Sequence, residues 1–70
     1  MKLVINGRER VVDTPTQVVT LSHILRAVLG EPGRGVAVAL GDQVVPRGSW
    51  DEVEVSEGAK IEIIGAVQGG

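Results

Sequence analysis

The chain contains no cysteine, no phenylalanine and no tyrosine, a single histidine, a single tryptophan and three prolines. Without cysteine there is neither a disulfide framework nor a thiol nucleophile, and one histidine cannot complete a structural zinc site. Stability therefore has to come from aliphatic packing. Thirteen valines, five isoleucines and five leucines can supply it, and the excess of β-branched over aromatic side chains favours sheet. A basic surplus is also missing: seven Lys and Arg stand against nine Asp and Glu, for a formal charge of −2 and a pI near 5.2. That balance argues against nucleic acid as a partner, since phosphate binding needs a basic footprint. No apolar run approaches the roughly 20 residues of a membrane span. The N-terminus lacks the apolar segment of a secretion signal, so a cytoplasmic protein away from membranes is expected. With 70 residues the chain is one domain, of a size that buries only about 60% of its unfolded surface. A substrate pocket is hard to build beside so small a core, which points to a binding or carrier domain rather than an enzyme.

Lys2-Leu3-Val4-Ile5 reads as a strand bounded by Asn6-Gly7, the strongest two-residue hairpin signal. The returning strand is expected over residues 9–12. Pro15 breaks the pattern, and the period then changes. Leu21, Ile24, Leu25 and Val28 fall at i, i+3, i+4 and i+7, one stripe of an amphipathic helix. Thr20 is its expected N-cap and Gly30 its C-terminal glycine. A loop over residues 31–35 leads into Val36-Ala37-Val38-Ala39-Leu40, apolar on both faces as a central strand would be. Gly41-Asp42 turns the chain into Gln43-Val44-Val45, which Pro46 ends. Residues 47–52 are too irregular for strand and fit a helical turn, and Val53-Glu54-Val55 is a brief extended piece. Lys60-Ile61-Glu62-Ile63 alternates as a half-buried strand does, with Ile61 and Ile63 inward. Continued alternation puts Ile64 and Ala66 on the solvent face. A bulge at Ile64-Gly65 would instead return Ile64 to the core; without it, Ile64 belongs to an exposed apolar patch for a partner. Hairpin, helix, two strands, an irregular turn and a final strand make an α+β domain over residues 1–70, a small mixed sheet with one helix across one face. The layout resembles the ubiquitin-like β-grasp, with residues 65–70 as a flexible C-terminal tail.

Chemical constellations are scarce. His23 sits beside the helix stripe as an ordinary helix residue, and Ser22 and Ser49 lack the setting of a nucleophile elbow. Asp51, Glu52, Glu54 and Glu57 form a loose acidic stretch, ordinarily a solvated surface. The glycines near residue 33 have neither the lysine nor the following helix of a phosphate loop, so any nucleotide is bound by another protein. What remains is Gly65-Ala66-Val67-Gln68-Gly69-Gly70 and a free carboxylate. Two glycines can thread a channel too narrow for any side chain, and their backbone freedom lets the carboxylate meet an external nucleotide. Activation as an acyl-adenylate would open it to a sulfur or nitrogen nucleophile.

Val36-Ala37-Val38-Ala39, Val45-Pro46-Arg47 with Trp50 three residues on, Glu57-Gly58, Ile61-Glu62-Ile63 and Val67-Gln68-Gly69-Gly70 resemble the ThiS-type sulfur carriers of thiamine biosynthesis. The likeness covers essentially the whole chain. The small subunits of molybdopterin synthase share the fold and the Gly-Gly ending but are richer in phenylalanine and lack the Val-Pro-Arg…Trp stretch. Gly41 departs from the asparagine common in the family and suits the turn equally well. The resemblance implies that Gly70 is the site where an E1-like adenylyltransferase uses ATP to make an adenylate, which becomes a thiocarboxylate. Gly69 is the slender neighbour, and Ile64, Ala66, Val67 and Gln68 contact the partner. It further implies that a cysteine desulfurase or rhodanese-type protein donates the sulfur and thiazole synthase consumes it. The chain itself would bind no cofactor or metal, act as co-substrate and be a monomer when free. Two alternatives stay open: a β-grasp carrier serving molybdopterin, cysteine or another sulfur metabolite, and a ubiquitin-like interaction module that is never activated.

Overall fold

Asn6 and Gly7 adopt φ angles of 52° and 81°, the two successive positive values that match a hairpin turn to the twist of its strands. They join β1 (Lys2–Ile5) to β2 (Arg8–Val11) with Lys2 opposite Val11 and Ile5 opposite Arg8. The computed structural model describes residues 1–31 and 35–65. Within them follow β3 (Val18–Thr20), α1 (Leu21–Leu29), β4 (Val36–Leu40), β5 (Gln43–Val45), a 3₁₀ turn (Arg47–Ser49), β6 (Glu54–Ser56) and β7 (Lys60–Gly65). Five strands form one mixed sheet in the order β2-β1-β7-β4-β5, and β3 pairs with β6 in a separate two-stranded ribbon. Only the β1–β7 pair is parallel; the rest are antiparallel. A small mixed sheet with one helix on it is the β-grasp arrangement expected from the order of elements.

The helix forms where its signals stand. Thr20 is extended, and its hydroxyl oxygen accepts from the His23 backbone N–H at 3.2 Å. The Leu21 and Ser22 N–H groups donate to the carbonyls of Val53 and Trp50 at 2.8 and 3.1 Å. The open donors of the first turn are thus met by a side chain and by the segment leading into β6. At the other end Gly30 takes φ 77° and returns its N–H to the Arg26 carbonyl. The stripe Leu21, Ile24 and Leu25 is completely buried, and Leu3, Ile5, Val38, Val45, Trp50, Val55 and Ile61 are buried with it in one core. Trp50 is held inside by its indole N–H, which donates to the Val45 carbonyl at 2.9 Å, while the Arg47 guanidinium lies 5.0 Å from the ring centroid. Both residues therefore shape the turn between β5 and β6.

Several boundaries differ from the sequence reading. The second strand begins at Arg8 and ends before Val12, which is buried just beyond it. Residues 18–20 form a strand that the sequence reading passed over, because its partner Glu54–Ser56 lies far along the chain. The extended piece near residue 54 is shifted by one position, to Glu54–Ser56. β4 has neighbours on both edges, yet the middle of the sheet belongs to β7. Gly65, assigned to the tail, instead closes β7 opposite Val36. Among the described residues, no helix is long and apolar enough to cross a membrane.

Ile24→Ala should lower the unfolding free energy by roughly 2–5 kcal/mol, the cost of a cavity under the helix. Val44→Ala, on the opposite face of the sheet and 74% exposed, should change it by no more than about 0.5 kcal/mol. Urea denaturation of the two variants checks both values.

Candidate functional site: the open face at the end of β7

A five-stranded sheet covered on one side leaves its other side to water, and alternation decides which residues appear there. Ile61 opposite Leu40 and Ile63 opposite Val38 point towards the helix. Glu62 opposite Ala39, and Ile64 opposite Ala37, point away from it. Ala39 in turn faces Val44 of β5 on the same outer side. The outer face near the end of β7 thus carries Ile64, Ala37, Ala39 and Val44. Ile64 is 65% and Val44 74% exposed. The β4–β7 register runs without interruption from Leu40–Ile61 to Val36–Gly65. There is no bulge at Ile64-Gly65, and the isoleucine stays in solvent as strict alternation requires. Lys60 and Glu62 share this face and border the apolar area with charge.

Of the residues singled out for the site, Ile64 stands here. Ala66, Val67, Gln68, Gly69 and Gly70 lie outside the described residues. Ile64 is therefore the described residue from which the C-terminal segment can be approached, two positions before Ala66.

The sequence reading missed Asn6. Beyond its part in the turn, its side chain reaches β7: Oδ1 accepts from the Ile63 N–H at 2.7 Å and Nδ2 donates to the Ile63 carbonyl at 3.2 Å. Its backbone N–H also donates to the Ile61 carbonyl at 2.9 Å. The residue after the end of β1 thereby secures β7 next to Ile64. On the opposite, helix-facing side of the sheet, an open groove of about 500 Å³ is lined by Ile5, Asn6, Arg8, Val28, Leu29 and Ile63, among others.

Other polar groups have structural partners. The Ser22 hydroxyl donates to the Asp51 carboxylate, linking the helix start to the 3₁₀ turn. His23 is half-buried on the helix with its backbone engaged by Thr20. The acidic stretch surrounds β6, with Glu57 accepting from the Lys2 N–H at 3.1 Å. Among the described residues no group of three or more His, Cys, Asp or Glu side chains is placed to hold a metal ion. The arrangement leaves an exposed apolar patch at the end of β7 and, among the described residues, no assembled set of nucleophile, base and oxyanion donors.

Comparison with known proteins agrees with this geometry. Residues 3–70 match the model of the ThiS family. A thiazole synthase of Paramagnetospirillum magneticum is 41% identical over 73 aligned positions that take in the whole of this chain. The chain spans 20% of the length of that relative. The crystal structure of the thiamine biosynthesis protein ThiS from Geobacter metallireducens superposes with a TM-score of 0.81 at 27% identity, covering 100% of both chains. The solution structure of a thiamine biosynthesis protein from the same organism gives 0.80 at 27% identity, over all of this chain and 88% of that one. With the β-grasp order, the unbroken β7 register and a family match running to its last glycine, this chain belongs to the ThiS family.

Proposed function

We propose that this chain is a sulfur carrier protein whose reactive group is the carboxylate of Gly70 and whose product is used to form the thiazole of thiamine. One observation carries the reading: the apolar surface of Ile64, Ala37 and Val44 lies in solvent immediately before residues 66–70, in a chain that matches the ThiS family through Gly70. A relative named thiazole synthase supports the thiazole destination over other sulfur metabolites.

The chemistry follows from what a carboxylate lacks. It is a poor electrophile, so one of its oxygens first attacks the α-phosphorus of ATP and pyrophosphate leaves. The acyl-adenylate so formed carries AMP as a good leaving group. A sulfur nucleophile delivered by a desulfurase or rhodanese-type protein then attacks the carbonyl carbon. AMP departs and leaves an acyl disulfide to the donor's cysteine; a second thiol then attacks that cysteine sulfur, forms a disulfide with it and expels the thiocarboxylate, in which one oxygen has been exchanged for sulfur. The E1-like adenylyltransferase holds ATP and supplies the catalytic groups; this chain is its co-substrate. Gly69 and Gly70 add no side chain to obstruct the channel, and Ala66, Val67 and Gln68 line its walls from the carrier side. Ile64 and its neighbours on the sheet dock against the enzyme, giving up water from apolar surface that the folded carrier leaves uncovered.

Incubation with ATP, a sulfide source and the activating enzyme should raise the intact mass by the exchange of one oxygen for one sulfur, confined to the C-terminal peptide. Deleting Gly70, or adding one residue after it, should abolish that change while leaving the unfolding transition in place. An unchanged mass with an enzyme active on another carrier would overturn the proposal.

Ile64→Asp should raise the KM for the carrier in adenylation about tenfold or more, a loss of roughly 1.4 kcal/mol of docking energy. Its unfolding free energy should stay within about 0.5 kcal/mol of the parent. A fall of several kcal/mol in stability would instead make Ile64 part of the core.

A further inference from the structure

β1 stops one residue too early to hold the end of β7. In a parallel ladder each residue of one strand donates to one partner and accepts from another two positions on. Val4 donates to the Ala59 carbonyl and Asn6 to the Ile61 carbonyl, both at 2.9 Å. Continuation would require the backbone carbonyl at position 6 to accept from Ile63, and the backbone N–H at position 8 to donate to it. Asn6 instead turns away with φ 52°, and Arg8 already belongs to β2. The Asn6 carboxamide meets both needs. It carries one C=O and one N–H₂, the complement of a peptide group, and delivers them to the N–H and C=O of Ile63 at 2.7 and 3.2 Å.

We propose that the Asn6 carboxamide is a positioning group: it replaces the backbone carbonyl and N–H that β1 does not supply, and so fixes the direction in which the end of β7 presents Ile64 to the activating enzyme. The inference rests on the carrier reading and adds a residue on the hairpin to it. The effect of Asn6 is to spare the enzyme the cost of ordering the strand end when the carrier docks. Once the carrier is docked, the enzyme's own channel sets the geometry of the reacting atoms. Loss of the clamp should therefore appear in KM and leave kcat nearly unchanged.

Two substitutions separate the clamp from the turn. Asn6→Gly keeps the left-handed backbone without strain and removes both side-chain bonds. Asn6→Asp keeps the acceptor for the Ile63 N–H and loses the donor to its carbonyl. In native-state hydrogen exchange the Ile63 and Ile64 amides should exchange about tenfold faster in Asn6→Gly and less so in Asn6→Asp, while the amides of Ile24 and Val38 keep their relative protection. In the adenylation assay KM for the carrier should rise about three- to tenfold in Asn6→Gly, with Asn6→Asp between it and the parent. Identical exchange at Ile63 and Ile64 in all three proteins would overturn the inference. So would loss of protection shared evenly by helix and sheet, or a fall in kcat at constant KM. If the parent chain is never adenylated, the carrier reading fails, and the exchange pattern still decides whether Asn6 clamps the strand.

Discussion

Between β1 and β4 the last strand bonds along both edges, parallel to the chain's first strand at Val4 and Ile5 and antiparallel to β4 from Ile61 to Gly65. Either half of the sheet without β7 would be a two-stranded hairpin, which is marginal in water. With it, Leu3, Ile5, Val38, Val45 and Ile61 form one continuous floor for the helix stripe. The same insertion sets the outer face, because the register that buries Ile61 sends Ile64 into solvent. Core and exposed apolar face are two sides of one strand. A shift of one residue would exchange them.

The irregular half of the molecule serves a different end. β3, the 3₁₀ turn and β6 close over the start of the helix, where backbone carbonyls of Trp50 and Val53 take its first donors. Trp50 fills the space beneath this turn and spends its one polar atom on the Val45 carbonyl. Positive end and aromatic ring are both turned inward. What the helix start could have offered an anion is already occupied by these groups.

Where the signal is local, the fold is legible from the residues. The Asn6-Gly7 turn, the Thr20 cap, the stripe from Leu21 to Leu25 and the alternation from Lys60 to Ile63 each depend on neighbours a few positions away. The ribbon of Val18–Thr20 with Glu54–Ser56 depends on a pairing between distant segments, and three residues are too few to show a period. Ile64 was ambiguous for a physical reason, since the glycine after it permits a bulge. Only the partner strand decides, and Val36 pairs with that glycine in unbroken register. Asn6 was half legible. Its dipeptide announces a turn, and that sufficient explanation concealed a second role towards a residue 57 positions away. Within residues 66–70 the resemblance gives roles to the glycines, and their placement is not described by the fold.

Because the strand at the centre of the sheet follows all four of its sheet partners along the chain, synthesis and folding are ordered in time. Until Gly65 has left the ribosome, the β1–β2 and β4–β5 hairpins have no common neighbour, and pairing Val4 with Lys60 requires closure of a loop that takes in most of the chain. The open face around Ile64 is completed in the same event. A nascent or truncated chain that has not reached this point cannot present the assembled apolar face around Ile64.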